Sequence, residues 1–186
     1  MNRRDLLLVA GATLAAGCST TSGDTSDPAA KRHKIDAGVD SALTKLYGQV
    51  PSSRELVRKA RGVLVLPDVV SAGFIVGGTY GEGALRKGDA TSAYYSVGAA
   101  SVGLLAGAQS KAMYLLFMTE DALRKFESSE GWTAGADASV AVANVGADAQ
   151  IDTKTVQQPI VGFVLTNAGL MANLSLDGTK FTRMKL

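Results

Sequence analysis

The chain has one cysteine, Cys18, and one histidine, His33, among its 186 residues. With a single cysteine no disulfide can form within the chain, so a folded domain must depend on its hydrophobic core. A catalytic base or metal ligand at His33 would need polar partners, whereas its sequence neighbours on both sides are basic. We therefore expect His33 to be a solvated residue, and we expect no Ser–His–Asp set, no metal and no cofactor.

Aromatic residues are also few, at 6% of the chain, whereas glycine is abundant, with 21 residues. This composition favours sheets with tight turns and close backbone approach over a helical bundle. After residue 17 the sequence contains no apolar run long enough for a transmembrane helix.

The N-terminal segment carries a pattern typical of export. Arg3 and Arg4 precede an apolar run, Leu6–Ala16, that is too short to span a bilayer comfortably. Small residues then lead into Cys18, and the arrangement resembles a bacterial lipoprotein signal, in which the cysteine is acylated and the peptide is cut before it. We predict a signal peptide over residues 1–17 and lipid attachment at Cys18. The alternative is an ordinary signal peptide, which would leave this cysteine as a free or paired thiol.

Acylation would hold the protein at a membrane, because two or three acyl chains make attachment effectively permanent. The expected location is the bacterial cell envelope, with the folded part in the periplasm or on the cell surface. Ser19 follows the cysteine, which by resemblance to sorted lipoproteins favours the outer membrane. Residues 18–33 are predicted to be a lipidated flexible tether, and residues 34–186 to be one folded domain.

Apolar residues recur at helical spacing at the start of this domain and at a spacing of two after Gly62. The first pattern predicts an amphipathic helix from Ile35 to Tyr47. The capping-box pattern Ser52-x-x-Glu55 predicts the start of a second helix, and Thr119 is expected to cap a third. Strands are expected at residues 63–66 (ending at Pro67), 74–83, 94–107, 113–118, 135–145, 160–165, 170–176 and 181–184, the last three as a meander with turns at 167–169 and 177–178.

The expected fold is therefore α+β. Two N-terminal helices and one mid-chain helix pack on a largely antiparallel, curved β-sheet, closed as a sandwich or a partial barrel. The motif Gly78-x-x-Gly81-x-Gly83 has strand-like flanks, so these glycines are expected to let the sheet bend or pack closely rather than to bind a nucleotide. The spacing of three aspartates fits no calcium loop, and they are expected at turns or solvent-facing positions: Asp137, Asp148 and Asp152.

Several ordered sequence blocks occur along the domain: Ala60–Pro67, Ala72–Gly78, Gly81–Gly83, Gly103–Gln109, Met118–Leu123 and Gly169–Gly178. Together they resemble the SYLF-domain family, and the resemblance extends from about Ile35 to the C-terminus. It implies a non-enzymatic lipid-binding domain, since eukaryotic members of the family bind phosphoinositides and some fungal members bind and bundle actin. In a bacterial envelope, the property expected to carry over is affinity for anionic phospholipid head groups.

The charge distribution indicates where such contact would occur. Residues 31–61 carry eight Lys and Arg against three acidic residues, for a net charge of +5, whereas residues 62–186 carry nine against eleven, for −2. Near an anionic surface each such cation contributes about 1 kcal/mol. By the resemblance, the lipid-binding surface would involve Lys31, Arg32, Lys34, Arg54, Arg58, Lys59 and Arg61.

Three alternatives remain open from the sequence. Phospholipid could be bound in an apolar crevice between the helices and the curved sheet instead of at the basic helices. The basic residues could form a plain solvated helix face that only keeps the protein soluble. The protein itself could be a structural or protein-interaction lipoprotein, with an envelope protein as its partner and no lipid affinity beyond its anchor. Nucleic acid is not expected as a partner in this compartment.

Overall fold

The computed structural model describes residues 27–143, 155, 157–166, 169–170 and 175–186, without the side chains of residues 74–76 and 101–108. Within them three helices pack on a curled, mostly antiparallel sheet that forms a half-barrel, which confirms the predicted α+β class. The helices are α1 (Pro28–Gln49), α2 (Ser53–Lys59) and α3 (Glu120–Ser128). None of the described helices combines the length and the apolar composition needed to cross a membrane.

Helix α1 begins earlier than the sequence patterns predict. The Asp27 side chain accepts a hydrogen bond from the backbone N–H of Ala29 at 2.9 Å, and Pro28 occupies the first helical position. Proline is favoured there because its fixed φ suits the helix and its missing N–H has no intrahelical partner to lose. Residues 28–33, assigned to the tether from the sequence, therefore lie in α1.

Helix α2 forms where it was predicted, but the capping box does not. Ser52 already has helical backbone angles, with φ −64° and ψ −19°, and its side chain makes no capping hydrogen bond. The backbone N–H groups of Ser53 and Arg54 bond instead to the carbonyls of Val50 and Pro51, so a tight turn leads directly into the helix.

The sheet is dominated by one long hairpin made of β1 (Gly62–Lys87) and β2 (Ala90–Phe117). Its turn contains Gly88 at φ 59°, a conformation that favours glycine. The prediction that a strand ends at Pro67 is wrong, because β1 continues through it. The register shifts between Leu66 and Val69, so Pro67 lies at an irregularity where its missing N–H breaks no regular ladder bond.

The hairpin curls until the two ends of β1 pack against each other. A Cβ atom at Gly83 would lie 2.0 Å from the carbonyl oxygen of Val65, and one at Gly81 would lie 2.9 Å from that of Asp68. These two glycines are therefore required for close backbone approach, as predicted. A Cβ at Gly78 would meet nothing within 4 Å, so this glycine has no such packing role.

Alternate residues of the hairpin face two different cores, as expected for a period of two. One face carries Leu64, Leu85 and Phe117 and is covered by α3 and the C-terminal strands. The other face carries Val65 and Tyr114 and is covered by α1 and α2. From α1 and α2 the buried residues are Ile35, Val39, Ala42, Leu46, Ser53 and Leu56.

Helix α3 is capped as predicted, since the Thr119 side chain accepts a hydrogen bond from the N–H of Ala122. The remaining strands extend the sheet in the order β3–β7–β2–β5–β4, with β1 on β2 and β6 on β5. Only the β4–β5 pairing is parallel among the described pairings of strands. These strands are β3 (Gly131–Thr133), β4 (Ala141–Val142), β5 (Ile160–Thr166), β6 (Gly169–Leu170) and β7 (Lys180–Arg183).

The predicted C-terminal meander is confirmed only for its first pair, β5 with β6, and is wrong for the last strand, because β7 pairs with β2 and β3 instead of β6. The turn at Asp177–Gly178 does form, with Gly178 at φ 78°. The strand predicted over residues 135–145 is mostly absent from its described part, where residues 135–137 form a turn and only Ala141–Val142 is strand. Residues 167–168, 171–174 and 144–150 lie outside the described residues.

Candidate functional site

The basic residues selected from the sequence do not form a single cluster. Lys31, Arg32 and Lys34 lie in the first two turns of α1, whereas the other four follow the end of that helix. Fifteen residues of helix separate Lys34 from Gln49, which corresponds to about 22 Å at 1.5 Å per residue. We call these sets the α1 group (Lys31, Arg32, Lys34) and the α2 group (Arg54, Arg58, Lys59, Arg61).

Most of the α2 group has partners on the protein. The guanidinium of Arg54 lies 4.7 Å from the centre of the Tyr47 ring, where a cation–π interaction is favourable. Lys59 forms the predicted pair with Glu55 at 2.6 Å, and Arg61 lies 3.7 Å from Glu120. These pairs are well exposed, so each adds little stability, but each offsets part of the positive charge.

The α1 group is more open. Arg32 and Lys34 are exposed, and neither forms an ion pair within the described part of the chain. Lys31 donates to Oε1 of Glu82 at 2.8 Å, and the Tyr80 hydroxyl donates to the same oxygen at 2.6 Å. The bond from Lys31 attaches the start of α1 to the C-terminal part of β1, and the bond from Tyr80 lies within β1.

These contacts shift the pKa values of Glu82 and Tyr80. Burial alone would raise the pKa of Glu82, but the hydrogen bonds from Lys31 and Tyr80 outweigh it and the pKa is lowered. The hydrogen bond to Glu82, helped by partial burial, raises the pKa of Tyr80 to about 12. Glu82 is therefore a stable anion at neutral pH, and Tyr80 is held as a neutral donor.

A groove of about 1000 Å³ opens beside these residues, between the N-terminal half of α1 and the curled part of β1. Its lining is mainly apolar and includes Ile35, Val70 and Tyr80. Val70 is 43% exposed and Tyr80 58% exposed, and they are the only large hydrophobic side chains exposed among the described residues. Both therefore contribute to the same groove.

The rim of the groove carries charges of both signs. Lys31 and Lys34 come from α1, and Asp68 and Glu82 come from β1. Asp68 accepts a hydrogen bond from the Ser110 hydroxyl. Lys34 alone of these four has no hydrogen bond or ion pair with the described residues.

The middle of α1 is fixed to the hairpin tip by a polar network. Asp36 accepts hydrogen bonds from Thr91 at 2.7 Å and from Tyr94 at 2.8 Å. Arg86 donates to Asp40 at 2.7 Å. Further along the helix, the buried Tyr114 hydroxyl donates to the Ala42 carbonyl at 2.8 Å. Helix α1 is thus attached to the hairpin both at its start and along its middle.

Two of the remaining candidates, His33 and Asp137, lie within the described residues. His33 is exposed on α1. The carboxylate of Asp137 accepts from the backbone N–H of Thr133, as in a turn, and no group of metal-binding side chains occurs among the described residues. Cys18, Asp148 and Asp152 lie outside the described residues.

Of the groove residues, Lys31 and Lys34 were candidates from the sequence, whereas Val70, Tyr80 and Glu82 were not. Val70 lay between two predicted strands, Tyr80 within one of them, and Glu82 within a glycine motif. Their convergence depends on the curl of β1, which was expected only in general terms. The tight spacing of Gly81 and Gly83 was the signal available for that curl.

Comparison with known proteins adds family membership to this geometry. Residues 98–185 match the family model Ysc84, described as "Las17-binding protein actin regulator". These residues belong to the SYLF family. SYLF is a lipid-binding or actin-regulatory family that is non-enzymatic. A comparison with curated proteins gave no match.

The SYLF match begins at Gly98, inside β2, and continues through α3 and β7. Helices α1 and α2 and strand β1 precede it. They share both hydrophobic cores with the matched residues, since β1 pairs with β2 from Gly62 to Lys87. The groove is thus built mostly from residues that precede the matched segment.

Proposed function

We propose that this protein is a non-enzymatic, lipid-binding lipoprotein of the bacterial envelope. Acylated Cys18 would hold it on the membrane, by preference the outer membrane. The basic residues of α1 and α2 would contact anionic phospholipid head groups there. Membership of a lipid-binding family supports the general activity; the choice of surface depends on the charges described above.

The observation that carries the proposal is the exposure of Arg32 and Lys34 at the start of α1. Asp27, the cap of this helix, is only nine positions after Cys18. A fully extended chain spans at most about 3.6 Å per residue, so these cations can lie no more than a few tens of ångströms from the anchor. Anchoring supplies attachment, and the cations would orient the domain on the surface.

The α1 group is expected to contribute more than the α2 group. Three members of the α2 group interact with Tyr47, Glu55 or Glu120. Those interactions reduce the charge that they present to a membrane. Arg58 is the α2 cation with neither an ion pair nor a cation–π contact to the described residues, so it is the one expected to contribute.

The test is co-sedimentation of the chain from residue 18, carrying Cys18→Ser, with vesicles of phosphatidylglycerol or phosphatidylcholine. Removing residues 1–17 leaves every described contact, since both cores lie within residues 28–186. We expect binding to the anionic vesicles that weakens at high salt, because exposed charges are screened within a Debye length of about 8 Å.

The charge variant is Arg32→Gln combined with Lys34→Gln. Two cations at about 1 kcal/mol each correspond to roughly a 30-fold loss of affinity. Lys180→Gln with Arg183→Gln is the matched control, because it removes the same charge from exposed positions of β7. Equal binding by both double variants would contradict the role of α1, and no binding by the parent chain would contradict the proposal as a whole.

A second candidate is a protein-interaction lipoprotein, favoured by a single observation. The family description names binding to a protein, Las17. In this case lipid affinity would come only from the anchor at Cys18. Recovery of one stoichiometric protein partner by the acyl-free chain, together with no vesicle binding, would favour this candidate over the first.

A further inference from the structure

We propose that the groove between α1 and β1 binds one acyl chain of a single phospholipid, with the lipid phosphate at Lys34. This inference rests on the proposed lipid-binding function and adds a site to it. The site shares Lys34 with the exposed helix surface, whereas its acyl-chain contacts lie inside the groove. It would hold one lipid molecule withdrawn from the bilayer.

The shape and lining of the groove suit an acyl chain. Its volume of about 1000 Å³ lies at the upper end of the range of small-molecule sites, about 300–1,000 Å³. Val70 and Tyr80 are large apolar side chains left exposed by the fold, and both line it. Leaving such surface in water is unfavourable, and an acyl chain would cover it.

The groove is open in part because residue 78 has no side chain. Gly78 lines the groove, and a Cβ there would meet nothing within 4 Å. Nothing in the packing of the described residues therefore requires glycine at this position. A large side chain at residue 78 would extend into free space next to the lining residues.

The charges at the rim suit the head group of a phospholipid. Glu82 already accepts from Lys31 and Tyr80, and Asp68 accepts from Ser110. Lys34 lies near enough to Glu82 to help lower the pKa of that carboxyl, but it forms no hydrogen bond or ion pair with the described residues, and a phosphate is a suitable partner for it. Two cations and two anions leave the rim close to neutral. We therefore expect zwitterionic phospholipids to bind here, without the salt dependence of the exposed helix surface.

The experiment is calorimetric titration of the same Cys18→Ser chain with dioctanoyl phosphatidylethanolamine, kept below its aggregation threshold. The expected result is one lipid per chain, with nearly equal affinity at low and high salt. Absence of binding, or binding that disappears at high salt, would overturn the inference. Vesicle sedimentation of the same sample reports separately on the proposed surface function.

Gly78→Phe is the blocking variant, and Gly48→Phe is its matched control. A Cβ at Gly48 also meets nothing within 4 Å, but this residue is exposed near the end of α1, away from the groove. Each buried methylene is worth roughly a fourfold factor in affinity, so excluding three or four of them should weaken binding about 100-fold. The control should bind like the parent chain. Unchanged binding by Gly78→Phe would exclude the groove as the site.

Two further variants keep the inference testable if Gly78→Phe misfolds. Val70→Asp places a charge in the groove at a residue that is already exposed, and it should weaken binding by at least about tenfold. Lys34→Gln should weaken it by about three- to tenfold through loss of the phosphate contact, whereas Lys180→Gln should not. Parent-like affinity in both Val70→Asp and Lys34→Gln would overturn the inference.

Discussion

The two faces of the curled hairpin are covered in different ways. On one face, rings from α3, β3 and β7 close over the sheet, and Phe126 is at the centre of this aromatic cluster. On the other face, α1 seals the sheet with Val39 and Leu46 but leaves an open groove beside its first turns. Phe126 lies 4.7 Å from Tyr95 and Phe117, 5.4 Å from Trp132 and 6.3 Å from Phe181, centre to centre.

This difference shows how one sheet can provide both stability and a binding surface. Of the seven aromatic side chains that are fully buried among the described residues, five lie on the closed face and two, Tyr114 and Phe163, on the other, and aromatic rings bury a large area per residue. The open face uses glycine and alanine next to α1, which leaves space for a ligand. We infer that stability depends mainly on the first face and lipid binding on the second.

The largest expected effect is at the centre of the closed face. Phe126→Ala should lower the free energy of unfolding by about 3–5 kcal/mol, because it leaves a cavity among four other rings. Chemical denaturation would measure this. Phe126→Leu, which keeps most of the volume, should cost clearly less. A loss below about 1 kcal/mol for Phe126→Ala would show that this cluster does not dominate the fold.

The next-largest effect on stability is expected at one of two glycines of β1. Gly83→Ala should cost about 1–3 kcal/mol of stability, or more, because its new methyl group would collide with the Val65 carbonyl. Gly78→Ala, beside the groove, should change stability by less than about 0.5 kcal/mol. Thermal melting of both variants tests this. Equal effects would mean that the two parts of the strand are packed alike.

A smaller effect is expected where α1 seals the sheet. Tyr114→Phe removes the buried hydrogen bond to the Ala42 carbonyl and should cost about 1 kcal/mol of unfolding free energy. Tyr47→Phe keeps the ring under Arg54 and serves as the control. A stability for Tyr114→Phe equal to that of the control would show that this hydrogen bond does not help to hold α1.

The smallest effect is the titration of Tyr80 at the groove. Its pKa is raised to about 12, first by the hydrogen bond to Glu82. Since the folded state holds this proton more tightly, the associated stability is fully present below pH 10, the ordinary tyrosine value. It is lost as the pH rises towards 12.

The difference in phenolate absorbance between the parent chain and Tyr80→Phe isolates this titration. In a chain that carries Glu82→Gln, the absorbance change that belongs to Tyr80 should occur at lower pH, because the charged acceptor of its hydrogen bond is gone. A midpoint near the ordinary tyrosine value in the parent chain would contradict the contact between Tyr80 and Glu82.

The fold was largely predictable from the sequence, because its signals are local. The spacing of Ile35, Val39 and Leu46 predicts the buried face of α1, and Thr119 predicts the start of α3. The start of α1 was missed because polar residues outside the apolar pattern extend it, and a single cap at Asp27 decides where it begins.

The site was less predictable, because it depends on pairings between distant residues. The seven basic residues read as one cluster when counted along the chain, whereas the length of α1 separates them into two groups. The strand β7 pairs with β2, about eighty positions earlier, so the meander inferred from sequence order was wrong for the last strand. The groove results from the curl of β1 against α1, which no short motif encodes.

The open face of the hairpin, with its groove between α1 and β1, is proposed to hold lipid. The most direct measurement is native mass spectrometry of the acyl-free chain, carrying Cys18→Ser and purified from bacteria, followed by lipid extraction. We predict one retained phospholipid per chain in the parent and in Gly48→Phe, and none in Gly78→Phe. A bare parent chain, or a lipid retained equally by both glycine variants, would contradict the claim.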